Sequence, residues 1–425
     1  MSHNSNLLHR RERLLGPNMT TFYSDPVHIV RGEGAWLWDA DGNRYLDCYN
    51  NVPHVGHAHP KVVEAISAQA ATLNTHTRYL HEGILDYAER LTGTMEHDLD
   101  TMIMVCTGSE ANDIALRMGR AMTGKTGIIC TDNTYHGNTD LVSHLSAKKT
   151  PIGGAVDWVK KVPSPDTLAP LGGSAEAQAQ AFADEIQTAI DTLEAEGHGF
   201  GTLILCPFFA NEGFPDLPSG FLDPTVEVVR RAGGIIIADE VQPGFGRTGR
   251  HFWGHQRIGL APDIVTMGKP MGNGHPVAAV VTRPEIMAEF RNRFGYFNTF
   301  GGNPVSAAAA MAVLDVLAEE SLVENARDTG DYALELLRQL DHPMIADVRG
   351  AGLFLGVEFA RDGDTKRAAP FCAQLVDEMR NRGVLLHSVG RYYHGIKIRP
   401  PMCFDRAQAD LLVETMDAAL KALPV

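Results

Sequence analysis

No run of about 18 apolar residues occurs anywhere in the 425-residue chain, which excludes a single membrane-spanning helix. Its first residues, Met-Ser-His-Asn-Ser-Asn, carry no long apolar stretch, and a cytoplasmic protein with no membrane partner is expected. Basic residues are in the minority. With 37 Lys and Arg against 52 Asp and Glu the net charge is −15, which argues against a nucleic-acid surface. Cysteines are few and scattered, at 48, 106, 130, 206, 372 and 403, without metal-ligand spacing. Free thiols in a reducing compartment are expected. Histidines 54, 57 and 59 stand close together, but no helical i, i+4 pair and no neighbouring acid or cysteine accompanies them, so no metal is expected. Repeats and low-complexity tracts are missing too, which leaves an ordinary globular composition, 44% hydrophobic and 21% charged. The length exceeds one core, so two or more domains are expected.

What the chain does have is concentrated between residues 234 and 276. The apolar run Ile235 to Ala238 reads as a strand buried on both faces, and it delivers Asp239 to its C-terminal end. Ligands bind at such strand ends in α/β sheets. A second run, Asp263-Ile-Val-Thr-Met, delivers Lys269 into a glycine-rich turn. Each residue alone could be a cap or a solvated side chain. Together, an acid and an amine on neighbouring strand ends suit pyridoxal phosphate, which needs a lysine to hold it covalently and an acid at its pyridine nitrogen.

Alternating strands and helices to residue 281 describe a mostly parallel sheet with helices on both faces. Ala35 to Asp47 reads as a hairpin turning at Asp41-Gly42, and a helix begins near Pro60. The strand Met102 to Cys106 runs into Thr107-Gly-Ser-Glu, opening a helix to about Met122. That junction can hold a phosphate on free backbone N–H groups, although Ser109 is equally a plain N-cap. Residues 150 to 174 look like a surface excursion, and Ser174 is placed as N-cap of a helix from about Ala175 to Glu194. An alanine-rich helix starts at Val305. The last hundred residues suit a smaller α+β domain completed by the N-terminal hairpin. The basic stretch His9 to Arg13 reads as a solvated helical turn.

The blocks Ile236-Ile-Ala-Asp-Glu-Val-Gln-Pro-Gly-Phe-Gly-Arg-Thr-Gly and Gly268-Lys-Pro-Met-Gly-Asn-Gly resemble the signature of the class III aminotransferases, and the resemblance runs from about Tyr23 to about Leu420. It implies an α/β fold of pyridoxal-phosphate fold type I: a segment 1–60 contributing to the small domain, a large cofactor-binding domain 61–318 and a C-terminal small domain 319–425. It implies Lys269 and Asp239 as catalytic residues. Gly108 and Ser109 are implied at the cofactor phosphate, Tyr135 stacked on the ring beside His136, Val241 behind it and Gln242 at its phenolic oxygen. Thr299 is implied to reach the cofactor phosphate of the opposite subunit, hence a homodimer with shared sites.

Within that family, Leu46 to Pro60, Arg78-Tyr-Leu-His, Tyr296 to Ser306 and Lys397-Ile-Arg-Pro-Pro-Met-Cys-Phe404 are similar to the subgroup of phospho-lyases acting on phosphorylated amines. The strand ending Cys206-Pro207 and the following Phe-Phe-Ala-Asn-Glu-Gly-Phe-Pro depart from the Glu-Pro of common transaminases. Elimination of phosphate from O-phosphoethanolamine is the implied reaction, and a second phosphate site would be needed. Arg78, Arg399, Asn51 and His54 are candidates, arginine being the strongest type. Arg399 stands where the phospho-lyase pattern carries lysine, and in transaminases an arginine there clamps a carboxylate. A transaminase remains the alternative.

Overall fold

In the computed structural model, residues 3–146 and 154–424 are described. The central element is a seven-stranded sheet in the order Thr101–Val105, Ala278–Thr282, Ile264–Met267, Ile235–Asp239, Phe200–Leu205, Gly127–Thr131 and Val159–Val162. Five of these strands run parallel, from Ile264–Met267 to the far edge, and Ala278–Thr282 lies antiparallel between its two neighbours. The strands Gly127–Thr131, Phe200–Leu205, Ile235–Asp239 and Ile264–Met267 are buried at every position. Such continuous apolar runs fit a sheet covered on both faces.

A four-stranded sheet joins the two ends of the chain. The hairpin Trp36–Asp39 and Arg44–Asp47 pairs on one side with Ile29–Glu33, and on the other, in parallel, with Val384–Leu385. A second, antiparallel sheet holds Ile345–Ala351, Phe354–Phe359, Gly395–Ile398 and His387–Val389. The basic N-terminal stretch lies in an exposed helix, His3–Leu15. No helix among the described residues is long and apolar enough to cross a membrane.

Two local expectations need correction. Residues 150–153 lie outside the described residues, but the rest of the supposed surface excursion contains Val159–Val162, the edge strand of the large sheet. Its two central lysines mask its strand character, and charge on an edge strand is how sheets resist further pairing. Ser174 does not cap the helix that follows. Its hydroxyl accepts from Ala177 N (3.2 Å) in a turn, and the helix itself is Gln178–Ala195.

Candidate functional site

The helix Gly108–Thr123 starts at the C-terminal end of an edge strand of the large sheet, pointing its first turn at the strand ends that carry Asp239 and Lys269. Thr107, not Ser109, is its N-cap. Thr107 accepts from Glu110 N while the Glu110 carboxylate takes the Thr107 N–H, a reciprocal capping box. Capping by Thr107 leaves the Gly108 and Ser109 amides in the first turn, where no intrahelical acceptor exists. The backbone here is crowded. A Cβ on Gly108 would stand 2.9 Å from Val241, and one on Gly137 (φ +141°) only 2.6 Å from Ser109 Oγ. Bare backbone amides at a helix start, with close neighbours that forbid side chains, form an anion cradle.

A cavity of about 130 Å³ opens there, bounded by Gly108, Ser109, Tyr135, His136, Gly137, Cys206, Asp239, Val241, Gln242 and Lys269. Asp239 is almost fully buried. Its Oδ2 accepts from His136 Nδ1 (2.6 Å) and Asn112 Nδ2 (2.9 Å), and its Oδ1 from Val241 N (3.0 Å). Asn112 is fixed in turn by Thr266 Oγ1 (2.6 Å), and the other nitrogen of His136 meets Thr134 Oγ1 (2.9 Å). Three donors to one carboxylate fix its position in the cavity wall. His136 thus borders the cavity with both ring nitrogens engaged, orienting Asp239. Tyr135 is 47% exposed, a ring with a face left to cover.

Lys269 sits at φ +25°, a strained setting for a residue with a side chain. Burial first, and Arg399 second, push its amine down to about 8. The same two causes lower Lys397 well below the ordinary lysine range. Arg399 is also lowered by burial and donates to Gln242 Oε1 (2.6 Å). Lys397 Nζ reaches Asn211 Oδ1 at 3.4 Å. Among the described residues neither Lys397 nor Arg399 makes an ion pair with a carboxylate, and Arg399 Nε has no partner. In a chain of net charge −15, the buried Lys397 and Arg399 act electrostatically on each other and on the partly buried Lys269. Buried charges are normally paired.

A second, wider cavity of about 530 Å³ leads outward from Lys269 and Arg399 past Tyr49, Asn51 and Tyr23 to Arg11 of the N-terminal helix. Asn51 is 3% exposed and its Nδ2 has no partner among the described residues, so an unused donor faces this space.

Other expected residues lie elsewhere. His54 is withdrawn as a substrate ligand. It is completely buried, Nε2 bonded to Phe245 O (2.8 Å) and Nδ1 to Arg247 (3.0 Å), and burial together with Arg247 holds it neutral. His57 meets Asp47 and His59 meets Glu320, so the three histidines face separate partners. Arg78 is exposed with its guanidinium 3.9 Å above the Phe297 ring, and Thr299 is exposed nearby; neither bounds the two cavities. Lys397, Asn211 and Asn112 escaped the sequence reading. Lys397 had a signal, because it stands two residues before Arg399 on a strand and therefore on the same face. Asn112 and Asn211 had none beyond their positions after a strand.

The glycine cradle, the bonded acid and the strained, depressed lysine have the chemistry that pyridoxal phosphate needs: free amides for a phosphate, an acid for a pyridine nitrogen and an amine for a covalent link. Comparison with known proteins agrees. Residues 20–420 match the family described as Aminotransferase class-III. The chain is 42% identical to a Drosophila melanogaster protein named alanine–glyoxylate aminotransferase 2-like, over 94% of this chain and 84% of that one. It is 37% identical to Caenorhabditis elegans ethanolamine-phosphate phospho-lyase homolog 1, over 97% and 93%. A solved structure of an Arthrobacter phospholyase in complex with phosphoethanolamine superposes with a TM-score of 0.94 at 41% identity, covering 98% of this chain and all of that one. On this ground the chain belongs to the class III aminotransferases, pyridoxal-phosphate enzymes of fold type I.

Proposed function

We propose that the protein is a phospho-lyase that removes phosphate from O-phosphoethanolamine or a related phosphorylated amine, yielding acetaldehyde, ammonia and inorganic phosphate with the uptake of one water. The observation that carries this reading is the pair Lys397 and Arg399, two buried cations without a carboxylate beside Lys269. The Gly108–Ser109 turn already offers the cofactor phosphate a cradle of its own, in a cavity whose bounding residues include neither Lys397 nor Arg399. A second anion bound there would keep Lys397 protonated beside Arg399, and two basic side chains match a dianionic phosphate better than a single carboxylate.

The cofactor, when bound, supplies the electron sink that lets a carbon next to the amine lose its proton. Lys269 Nζ takes that proton, and its affinity, lowered to about 8, raises the neutral fraction near neutral pH far above that of an ordinary lysine, although the protonated form still predominates. Asp239, fixed by its three donors, would hold a proton on the pyridine nitrogen. Lys397, Arg399 and Asn51 Nδ2 hold the leaving phosphate, and Gln242, braced by Arg399, sets the cofactor's tilt. The protein acts in the cytoplasm as a homodimer. Thr299, exposed here, reaches the partner's cofactor phosphate.

A second reading has one specific observation behind it. Arg399 also suits the carboxylate of a transaminase substrate, and a similar protein is named an aminotransferase. The deciding measurement is inorganic phosphate and acetaldehyde released from O-phosphoethanolamine without any keto acid, set against alanine formed from pyruvate and an amine. Phosphate release is expected. Robust alanine formation with no phosphate would overturn the lyase reading.

A further inference from the structure

The loop after the strand Phe200–Leu205 is built unlike a surface turn. Phe208 and Phe214 both pack on Phe354, at ring-centroid distances of 4.8 and 5.3 Å. Arg349 donates twice to Gly213 O, at 3.0 and 2.9 Å. Phe209 and Phe214 are held at positive φ, +47° and +42°, where a bulky residue stays only if its surroundings compel it. All this rigidity positions one residue, Asn211. Its N–H donates to Glu212 Oε2 (3.0 Å), its carbonyl accepts from Asn133 Nδ2 (3.0 Å), and its Nδ2 reaches Tyr135 O at 3.5 Å.

The side-chain oxygen of Asn211 is the meeting point. Oδ1 accepts from Gln242 Nε2 (3.3 Å) and from Lys397 Nζ (3.4 Å). Gln242 presents its own oxygen to Arg399. The chain of contacts therefore fixes which way each amide points. The adjacent acid, Glu212, turns away and accepts from Thr131 Oγ1 (2.5 Å). We propose that Asn211 is a specificity-determining residue of the anion site: a neutral amide that aligns Lys397 and Gln242 without cancelling the charge that Lys397 and Arg399 offer. This deepens the phospho-lyase reading and rests on it. An aspartate would fill the same space and accept the same two hydrogen bonds. It would also place a negative charge against Lys397, and the site would then present one net cation where a phosphate dianion needs two.

Substitution by charge and by size gives opposite orders for an electrostatic and a merely structural role. Wild-type holoenzyme, Asn211→Asp and Asn211→Ala are titrated with inorganic phosphate, following the visible absorbance of the bound cofactor. Asn211→Asp should weaken phosphate binding at least about tenfold, and Asn211→Ala by no more than about threefold, since truncation leaves both cations in place. Equal affinity in wild type and Asn211→Asp, or a larger loss in Asn211→Ala, overturns the proposal. Should Asn211→Asp not retain cofactor, Lys397→Gln provides the same test from the other side. It should also lose about tenfold, and unchanged affinity overturns the role given to the pair. The titration reads binding, not turnover. A wild type that binds phosphate yet releases none from O-phosphoethanolamine therefore sinks the lyase reading and leaves the anion site standing.

Discussion

Lys269 shows how much of this chemistry is set by the surroundings of one residue. Its amine lies at about 8 against an ordinary 10.5, so between those values the unfolded chain carries the extra proton. Stability of the cofactor-free protein therefore rises with pH across that window, and the depressed amine costs the folded state about 3 kcal/mol at neutral pH. Capture of pyridoxal phosphate by the cofactor-free protein should accelerate with a midpoint near pH 8, because only the neutral amine attacks the cofactor aldehyde. Stopped-flow absorbance from about pH 6 to about pH 10 checks this, and a flat profile would remove the depressed lysine from the picture. Asp239 and Lys269 were legible in the sequence because each ends an apolar run at a strand terminus. Lys397 could be matched to the face of Arg399 by its spacing, but its burial was hidden, since between Ile396 and Ile398 it looks like the solvent side of an alternating strand. Only the covering of both faces of Gly395–Ile398 makes it a buried cation. His54 misled for the converse reason. Whether a ring nitrogen is free depends on Phe245 and Arg247, far away in the chain.

At the scale of elements, the helix Gly108–Thr123 and the turn at Gly137 must be considered as a unit. Gly137 has φ +141°, and a methyl group there would lie 2.6 to 2.8 Å from Ser109 atoms, backbone included. Gly137→Ala should therefore push the phosphate cradle outward. We expect at least a tenfold weaker hold on pyridoxal phosphate and a loss of about 1–3 kcal/mol in stability. Cofactor dissociation measured by dialysis or fluorescence checks it, and unchanged affinity would show that the cradle does not depend on this close approach. Most buried strands and several helices were readable from apolar runs, with observed bounds shifted by up to about three residues, as where the helix expected from Ala175 starts at Gln178. What stayed hidden was whatever depends on a neighbour. Val159–Val162 becomes a strand only by pairing with Gly127–Thr131, and Thr107 rather than Ser109 caps the helix because Glu110 can reach back.

The whole molecule leaves a patch uncovered beside Thr299. Leu80 is 99% exposed, Phe300 70% and Tyr79 66%, with Phe297 and Arg78 among them. Contiguous apolar surface of this kind marks an interface. Sedimentation should give twice the chain mass, and Leu80→Asp with Phe300→Asp should shift it toward monomer while weakening cofactor retention. A fully dimeric double variant would dissociate this patch from the shared site. From sequence, Thr299 is referred to a partner subunit only through resemblance and Arg78 only as a candidate for the substrate phosphate, since composition gives no hint of which exposed aromatics would meet a partner.

The parallel pairing of Val384–Leu385 with Arg44–Asp47 has one more consequence, and it concerns biosynthesis. The hairpin emerges from the ribosome long before its neighbouring strand, with the whole large sheet between them in the chain. Asp47, Tyr49, Asn51 and Leu385 all bound the outer cavity. That entrance therefore cannot close on a nascent chain, whatever the large sheet has already achieved. A translation product arrested before Val384 would hold the cofactor-binding strands and lack a finished doorway, so ordered access to the reactive centre waits on segments made after the large sheet.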